Sequence, residues 1–256
     1  MKTHPIGMIA LVSALVACHG SFGVTPRPTS RVTMTELAPG VWMHTSAMEL
    51  PEFGLVPSNG LVIERDDGPV LVDTAWTDAQ TINVVDWAAV FFEAEPTAVV
   101  VTHHHQDRLG GIKAMKERAI PVFATEQTVR LATRDGWPAP DRLLKTPSGR
   151  WPDPASDIEV FYPGPGHAPD NVVVWVPGAR LVYGGCLIKS AAAQNLGNVA
   201  DADLEGWLLA IEALQARYPE VARVVPGHGD PGGPELLEHT ARLVREALAA
   251  KARGPR

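Results

Sequence analysis

Cysteine is scarce in this chain: 256 residues contain two, Cys18 and Cys186. Basic clusters are absent as well, and the formal net charge is -7. Proteins that hold nucleic acid meet its phosphates with grouped Lys and Arg, so nucleic acid is excluded as the main partner. Beyond the N-terminal segment no apolar run reaches the roughly 20 residues that a spanning helix needs. Nor is there a long low-complexity segment. What remains is length and aliphatic content enough for one α/β domain with a substantial core.

The N-terminus reads as an address. Lys2 gives a positive start, and Ile6 to Ala17 is a short apolar run ending in Leu15-Val16-Ala17-Cys18. Such a run followed by small residues is a secretory leader rather than a membrane span. Leu-Val-Ala-Cys also resembles a bacterial lipobox, in which residues 1–17 are a lipoprotein signal peptide and Cys18 is lipidated. An ordinary signal peptide with a chance cysteine is the alternative. His19 stands where an Asp would retain the protein at the inner membrane, so the expected location is the periplasm, anchored to the outer membrane. Residues 18–31 are expected to be a tether, rich in Pro, Ser and Thr from Ser21 onward, and residues 32–256 the catalytic domain. With Cys18 lipidated, Cys186 has no disulfide partner. A lone thiol in an oxidising compartment is a liability unless buried or bound to metal.

Metal is what the rest of the chain suggests. Thr102-His103-His104-His105-Gln106-Asp107 carries a His-x-His-x-Asp pattern directly after Val99-Val100-Val101. At a strand end, residues two apart project to one side, so His103 and His105 can share a metal. Asp107 lies two further on. Three more ligand types sit beside glycine: His167 in Gly-Pro-Gly-His, Cys186 in Gly-Gly-Cys, and His228 in Pro-Gly-His-Gly. Four imidazoles, a thiolate and a carboxylate suffice for two sites of three protein ligands each. Catalytic zinc keeps such an open position, and a thiolate argues against magnesium or calcium. The six residues predict a two-zinc hydrolase. His104 is expected to be exposed, or to support its neighbours rather than to ligate.

Strand-like runs fall at Gly40–His44, Gly60–Glu64, Pro69–Val72, Ala98–Val101, Pro121–Phe123, Ile158–Phe161, Val172–Val176, Arg180–Tyr183 and Ala222–Val225. Helical patterns fall at about Thr77–Glu93, Leu109–Arg118, Glu126–Arg134, Ala202–Arg217 and Pro234–Lys251. Strands followed by helices, twice, predict an α/β fold in which two mixed sheets pack face to face with helices outside, an αββα sandwich. The ligands then lie in loops along one edge.

His-x-His-x-Asp alone occurs across a superfamily that includes glyoxalase II, lactonases and nucleases. The wider pattern is narrower. His44-Thr45-Ser46, Val72 to Trp76, Thr102 to Gly111, Tyr162 to His167, Gly184 to Lys189 and Gly197 to Asp203 together resemble the class B (metallo) β-lactamases of the first, cysteine-containing subclass, the New Delhi and Verona types among them. Many superfamily hydrolases place a second-metal His directly after the Asp; here that residue is Arg108, and Cys186 takes the vacated role in the resembling subclass. The resemblance implies two Zn2+ per chain, the first on His103, His105 and His167, the second on Asp107, Cys186 and His228. It implies that a hydroxide held by the two ions attacks the β-lactam carbonyl without an acyl-enzyme, with Asp107 orienting the nucleophile and Asn198 stabilising the oxyanion. Lys189 is expected to bind the carboxylate of the substrate. Met48, Phe53 and Val56 belong to an apolar lid from Ser46 to Ser58, and Trp76 to the pocket wall. Asp73 and Arg108 are expected to brace the ligands. The implied substrates are penicillins, cephalosporins and carbapenems, with antibiotic resistance as the consequence, and the implied state is a monomer.

Overall fold

Strands with apolar residues at every position must be buried on both faces, and the strands at the centre of this protein are of that kind. The structure, a computed structural model, describes residues 27–28, 31–144, 148–150 and 158–253. The expected signal peptide, Cys18 and most of the expected tether lie outside the described residues.

The first sheet holds β1 (Arg27–Pro28), β2 (Thr33–Ala38), β3 (Val41–Leu50), β4 (Gly54–Ile63), β5 (Val70–Val72), β6 (Ala98–Val100), β7 (Val122–Ala124) and β8 (Arg142–Leu143). Its path runs β1-β3-β4-β5-β6-β7-β8, with β2 paired to β3. Strands β3 to β5 are antiparallel and β5 to β8 parallel. The second sheet runs β13 (Arg223–Pro226), β12 (Leu181–Gly185), β11 (Val173–Val176), β10 (Glu159–Phe161) and β9 (Ser148–Arg150). Among the described residues six α-helices complete the order: α1 (Asp78–Phe91), α2 (Gln106–Leu109), α3 (Ile112–Glu117), α4 (Glu126–Arg134), α5 (Leu204–Arg217) and α6 (Glu235–Arg253).

Strand alternation sorts the apolar residues into layers. Val70 and Val72 of β5, Val100 of β6, Val174 of β11 and Tyr183 of β12 meet between the sheets. Leu71, Val62 and Val99 face the other way, onto α1 and α3 through Val84, Val85 and Met115. Val173, Trp175 and Val182 likewise back onto α5 and α6 through Trp207, Ile211 and Val244. The result is the αββα sandwich expected from the sequence. Helix starts follow side-chain chemistry: Thr77 accepts from the Gln80 N–H, Thr125 from Thr128, and Asp203 from Gly206.

Two expectations need correction. The helix expected over Leu109–Arg118 is two pieces, α2 and α3, broken at Gly110-Gly111. A Cβ at Gly110 would lie 2.1 Å from the Trp76 carbonyl oxygen, so glycine is needed where this backbone is pressed against the β5–α1 loop, and the helical dihedrals end at Gly111, with φ of -102° and ψ of 12°. Strand β2 was not expected at all; its Thr33–Ala38 edge position leaves few apolar side chains to mark it.

Candidate metal centre

Strand β6 stops at Val100, and the loop that follows is held by Asp73. The Asp73 carboxylate accepts the Thr102 N–H at 2.7 Å and the Thr102 hydroxyl at 2.8 Å. Asp73 has φ of 61°, a left-handed backbone uncommon outside glycine, and these bonds offset its cost. Burial pushes its pKa up to about 6, with Arg108, Thr102 and Tyr183 pulling the other way. His103 follows Thr102 directly.

Three imidazoles then converge. His103 Nε2 and His167 Nε2 each lie 3.1 Å from His105 Nδ1. Burial, reinforced by the other imidazoles around them, holds the pKa values of His103 and His167 well below the ordinary range, so both stand neutral with lone pairs available. Nitrogen lone pairs this close repel unless a proton or cation lies between them. Beside them Asp107 Oδ2, Cys186 Sγ and His228 Nε2 form a triangle with sides of 3.1 and 3.2 Å. His228 Nδ1–H donates to the Pro57 carbonyl at 2.6 Å, which turns Nε2 toward that triangle. Burial would lower the His228 pKa, yet Cys186 and Asp107 push it up to about 9. The pocket thus attracts positive charge. Both donor sets suit zinc, one all-nitrogen and one mixed with sulfur. They are adjacent, since donor atoms of His103, His167 and Cys186 also lie within 4.8 Å of one another.

Arg108 is fully buried beneath the triangle. Its Nε and Nη2 donate to Asp107 Oδ2 at 2.9 and 2.7 Å. Nη1 reaches the Asn59 carbonyl, the Tyr183 hydroxyl and Asp73, and Nη2 the Gly227 carbonyl. Although burial opposes ionisation of Asp107, Arg108 and His228 hold its carboxyl well below the usual range. The cation also anchors the loop that carries His228.

The clusters open on a cleft of about 590 Å³. One wall is apolar, with Leu50 and Phe53 from the β3–β4 hairpin, Val56, and Trp76, whose indole N–H donates to the Val56 carbonyl at 3.1 Å. The rest of the lining includes Lys189 and Asn198 together with Ala192, Ala193 and Leu196. Lys189 is nearly buried with its ammonium 5.3 Å from the Trp207 ring centroid, and burial lowers its pKa.

The model of the metallo-beta-lactamase superfamily matches residues 53–228. This chain belongs to that superfamily. A metallo-beta-lactamase type 2 from Bacillus sp. (strain 170) is 42% identical over 225 residues, covering 87% of this chain and 86% of the relative. One from Bacteroides fragilis is 35% identical over 217 residues, 85% and 87% of the two chains. Among solved structures, the metallo-beta-lactamase FIM-1 from Pseudomonas aeruginosa, in a mono-zinc form, matches with a TM-score of 0.80 at 39% identity, covering 84% of this chain and 96% of its own. DIM-1, solved after exposure to ceftazidime, gives 0.81 at 36%, with 84% and 97% covered. These relatives support the class B resemblance read from the sequence.

In this metallo-beta-lactamase the segment expected as a lid is a continuous β-hairpin, with Leu50 paired to Gly54 across a tip at residues 51–53. Met48 does not line the cleft as expected. It shares a face with Leu50 and Val56 but sits two residues deeper and is buried, so Leu50 holds the wall position. His104 is 1% exposed, which excludes the exposed role left open for it. Sequence reasoning passed over Asn59 and Asp201. Asn59 accepts from the Thr45 hydroxyl and donates to the Pro226 and Gly229 carbonyls, clamping the His228 loop to β4. Asp201 Oδ2 lies 3.1 Å from His105 Nε2 and orients that ring from outside. Asp201 lies 96 residues beyond His105 in the chain, so no local pattern ties it to that ring, and nothing local marks Asn59.

Proposed function

We propose that this chain is a zinc-dependent β-lactamase that opens the amide bond of penicillins, cephalosporins and carbapenems with two zinc ions per chain. The observation that carries the reading is the pair of adjacent three-donor clusters facing one half-apolar cleft. His103, His105 and His167 would hold one ion, and Asp107, Cys186 and His228 the other. When bound, zinc supplies hydroxide at neutral pH and polarises the bond under attack. The remaining work falls to side chains. Asp107, fixed by Arg108, orients the nucleophile. Lys189 binds the substrate carboxylate. The Asn198 side-chain oxygen accepts the Ala200 N–H at 3.0 Å, so its amide N–H groups are left to donate to the lactam carbonyl. Phe53, Val56 and Trp76 hold apolar substituents and exclude water. All of these groups come from one chain, so no second copy is needed to complete the site, and we propose that it acts as a monomer.

The test is hydrolysis of a carbapenem and a cephalosporin by a purified chain beginning at residue 19, with chelator and then with zinc restored. Turnover that vanishes and returns supports the reading. A folded protein that holds zinc yet turns over neither compound rejects it and directs the search to thioesters, lactones and phosphoesters.

We also propose a periplasmic location with Cys18 lipidated at the outer membrane, supported by the Leu15-Val16-Ala17-Cys18 run. Cys18→Ala should then release the protein from membranes into the soluble fraction; persistent membrane association would refute it.

A further inference from the structure

A third imidazole stands between the two histidines of the His-x-His-x-Asp pattern, and nothing so far gives it work. His104 Nδ1 lies 2.9 Å from Asp170 Oδ1, and both residues are buried. The other nitrogen, Nε2, is buried without a hydrogen-bond partner. Such an atom calls for an explanation. Asp135 Oδ2, at the C-terminus of α4, is 3.5 Å away, too far for a good hydrogen bond. Donor atoms of His104, His105 and Asp201 lie within 4.8 Å of one another. Arg134 donates to both Asp135 oxygens, to Oδ1 at 2.7 Å and to Oδ2 at 3.2 Å, so a cation at His104 Nε2 would share Oδ2 with that guanidinium.

A histidine whose one nitrogen is tied to a buried carboxylate, with the other free and aimed at further carboxylates, has the carboxylate–histidine–metal arrangement. We propose that His104 Nε2 and the carboxylates of Asp135 and Asp201 form an accessory site for a divalent transition-metal cation, on the side of His105 away from its Nδ1. One nitrogen and two carboxylates suit zinc, manganese or cobalt better than an oxygen-only cation. The proposal rests on the two-zinc reading in one respect: His105 keeps Nδ1 for the inner cluster and its Nε2–H for Asp201. The rival occupant of His104 Nε2 is a proton, which the same carboxylates would stabilise.

The experiment is equilibrium dialysis of the chain from residue 19 against rising free zinc, with bound metal counted by elemental analysis. A third equivalent is expected to fill after the first two, and to be lost in His104→Phe and independently in Asp135→Asn, each of which keeps two. Wild type that saturates at two, or a third equivalent untouched by both substitutions, overturns the accessory site and leaves the two-zinc reading standing. Saturation below two overturns the two-zinc reading; a bound equivalent that still depends on Asp135 would support the accessory site, and its absence would overturn that too. If His104→Phe fails to fold, Asp135→Asn decides alone, because Asp135 is partly exposed.

Discussion

Arg108 shows how much one side chain can organise. It neutralises Asp107 and Asp73, both buried, while tying Asn59, Tyr183 and Gly227 to the same point. Arg108→Ala would strand two carboxylates without their cation, a change that typically costs about 3–5 kcal/mol. Denaturant unfolding of the zinc-free protein should register a loss of that order. Arg108→Lys should recover little of it, since an ammonium cannot reproduce the planar fork. A loss under about 1 kcal/mol in Arg108→Ala would mean that the carboxylates find other partners. At this scale the sequence spoke clearly where chemistry is dense. His103, His105, His167, Asp107, Cys186 and His228 were all singled out, and their donor atoms converge in two adjacent groups. It was silent where a residue acts through its backbone. Asn59 contributes its main-chain carbonyl to Arg108 and Tyr183, and main-chain geometry leaves no mark on residue type.

The β3–β4 hairpin behaves as a unit of its own. Ten residue pairs hold it together, yet its tip projects exposed apolar side chains, Phe53 at 57% and Leu55 at 61%. Side chains this exposed stabilise the fold little, and the proposed function gives them a substrate to meet. Phe53→Ala should therefore raise KM for substrates with apolar substituents several-fold, with kcat within about twofold and stability within about 0.5 kcal/mol. Steady-state kinetics across substrates with and without such groups would check this, and an equal KM shift for both sets would contradict it. Elements with period-two or near-continuous apolar runs, such as Val70–Val72 and Val173–Val176, were readable because both of their faces are buried. The hairpin strands ran longer than their patterns suggested, since Pro51, Gly54 and Pro57 looked like breakers. Pro57 is accommodated in β4 opposite Ala47 and turns its carbonyl to His228 instead.

Across the whole molecule, each metal cluster draws on both halves of the sandwich. His103, His105 and Asp107 follow β6 of the first sheet; His167, Cys186 and His228 belong to the loops of the second. Zinc at these clusters would staple the sheets together along one edge. A ligand that binds only the folded state at a thousand times its dissociation constant adds about 4 kcal/mol. Chelation should accordingly lower Tm by several degrees, with recovery on adding zinc, as scanning calorimetry would show. A Tm indifferent to chelator would indicate that the sheets hold their relative position without metal. The layering itself was legible in the sequence; which loops meet at the edge was not, because contacts between distant segments carry no local period.

The bond from His228 to the Pro57 carbonyl joins the β3–β4 hairpin to the second donor cluster. The strand that ends in the lid is also the strand that aims a ligand, so the two cannot be tuned separately. On the proposed function, a change in β4 that reshapes the hairpin for a bulkier antibiotic would tilt His228 as well and loosen a zinc ion held there. Where zinc is plentiful such a variant would pass unnoticed; where a host withholds the metal, it would be lost. The range of drugs open to this protein is thus bounded by how little zinc its surroundings contain.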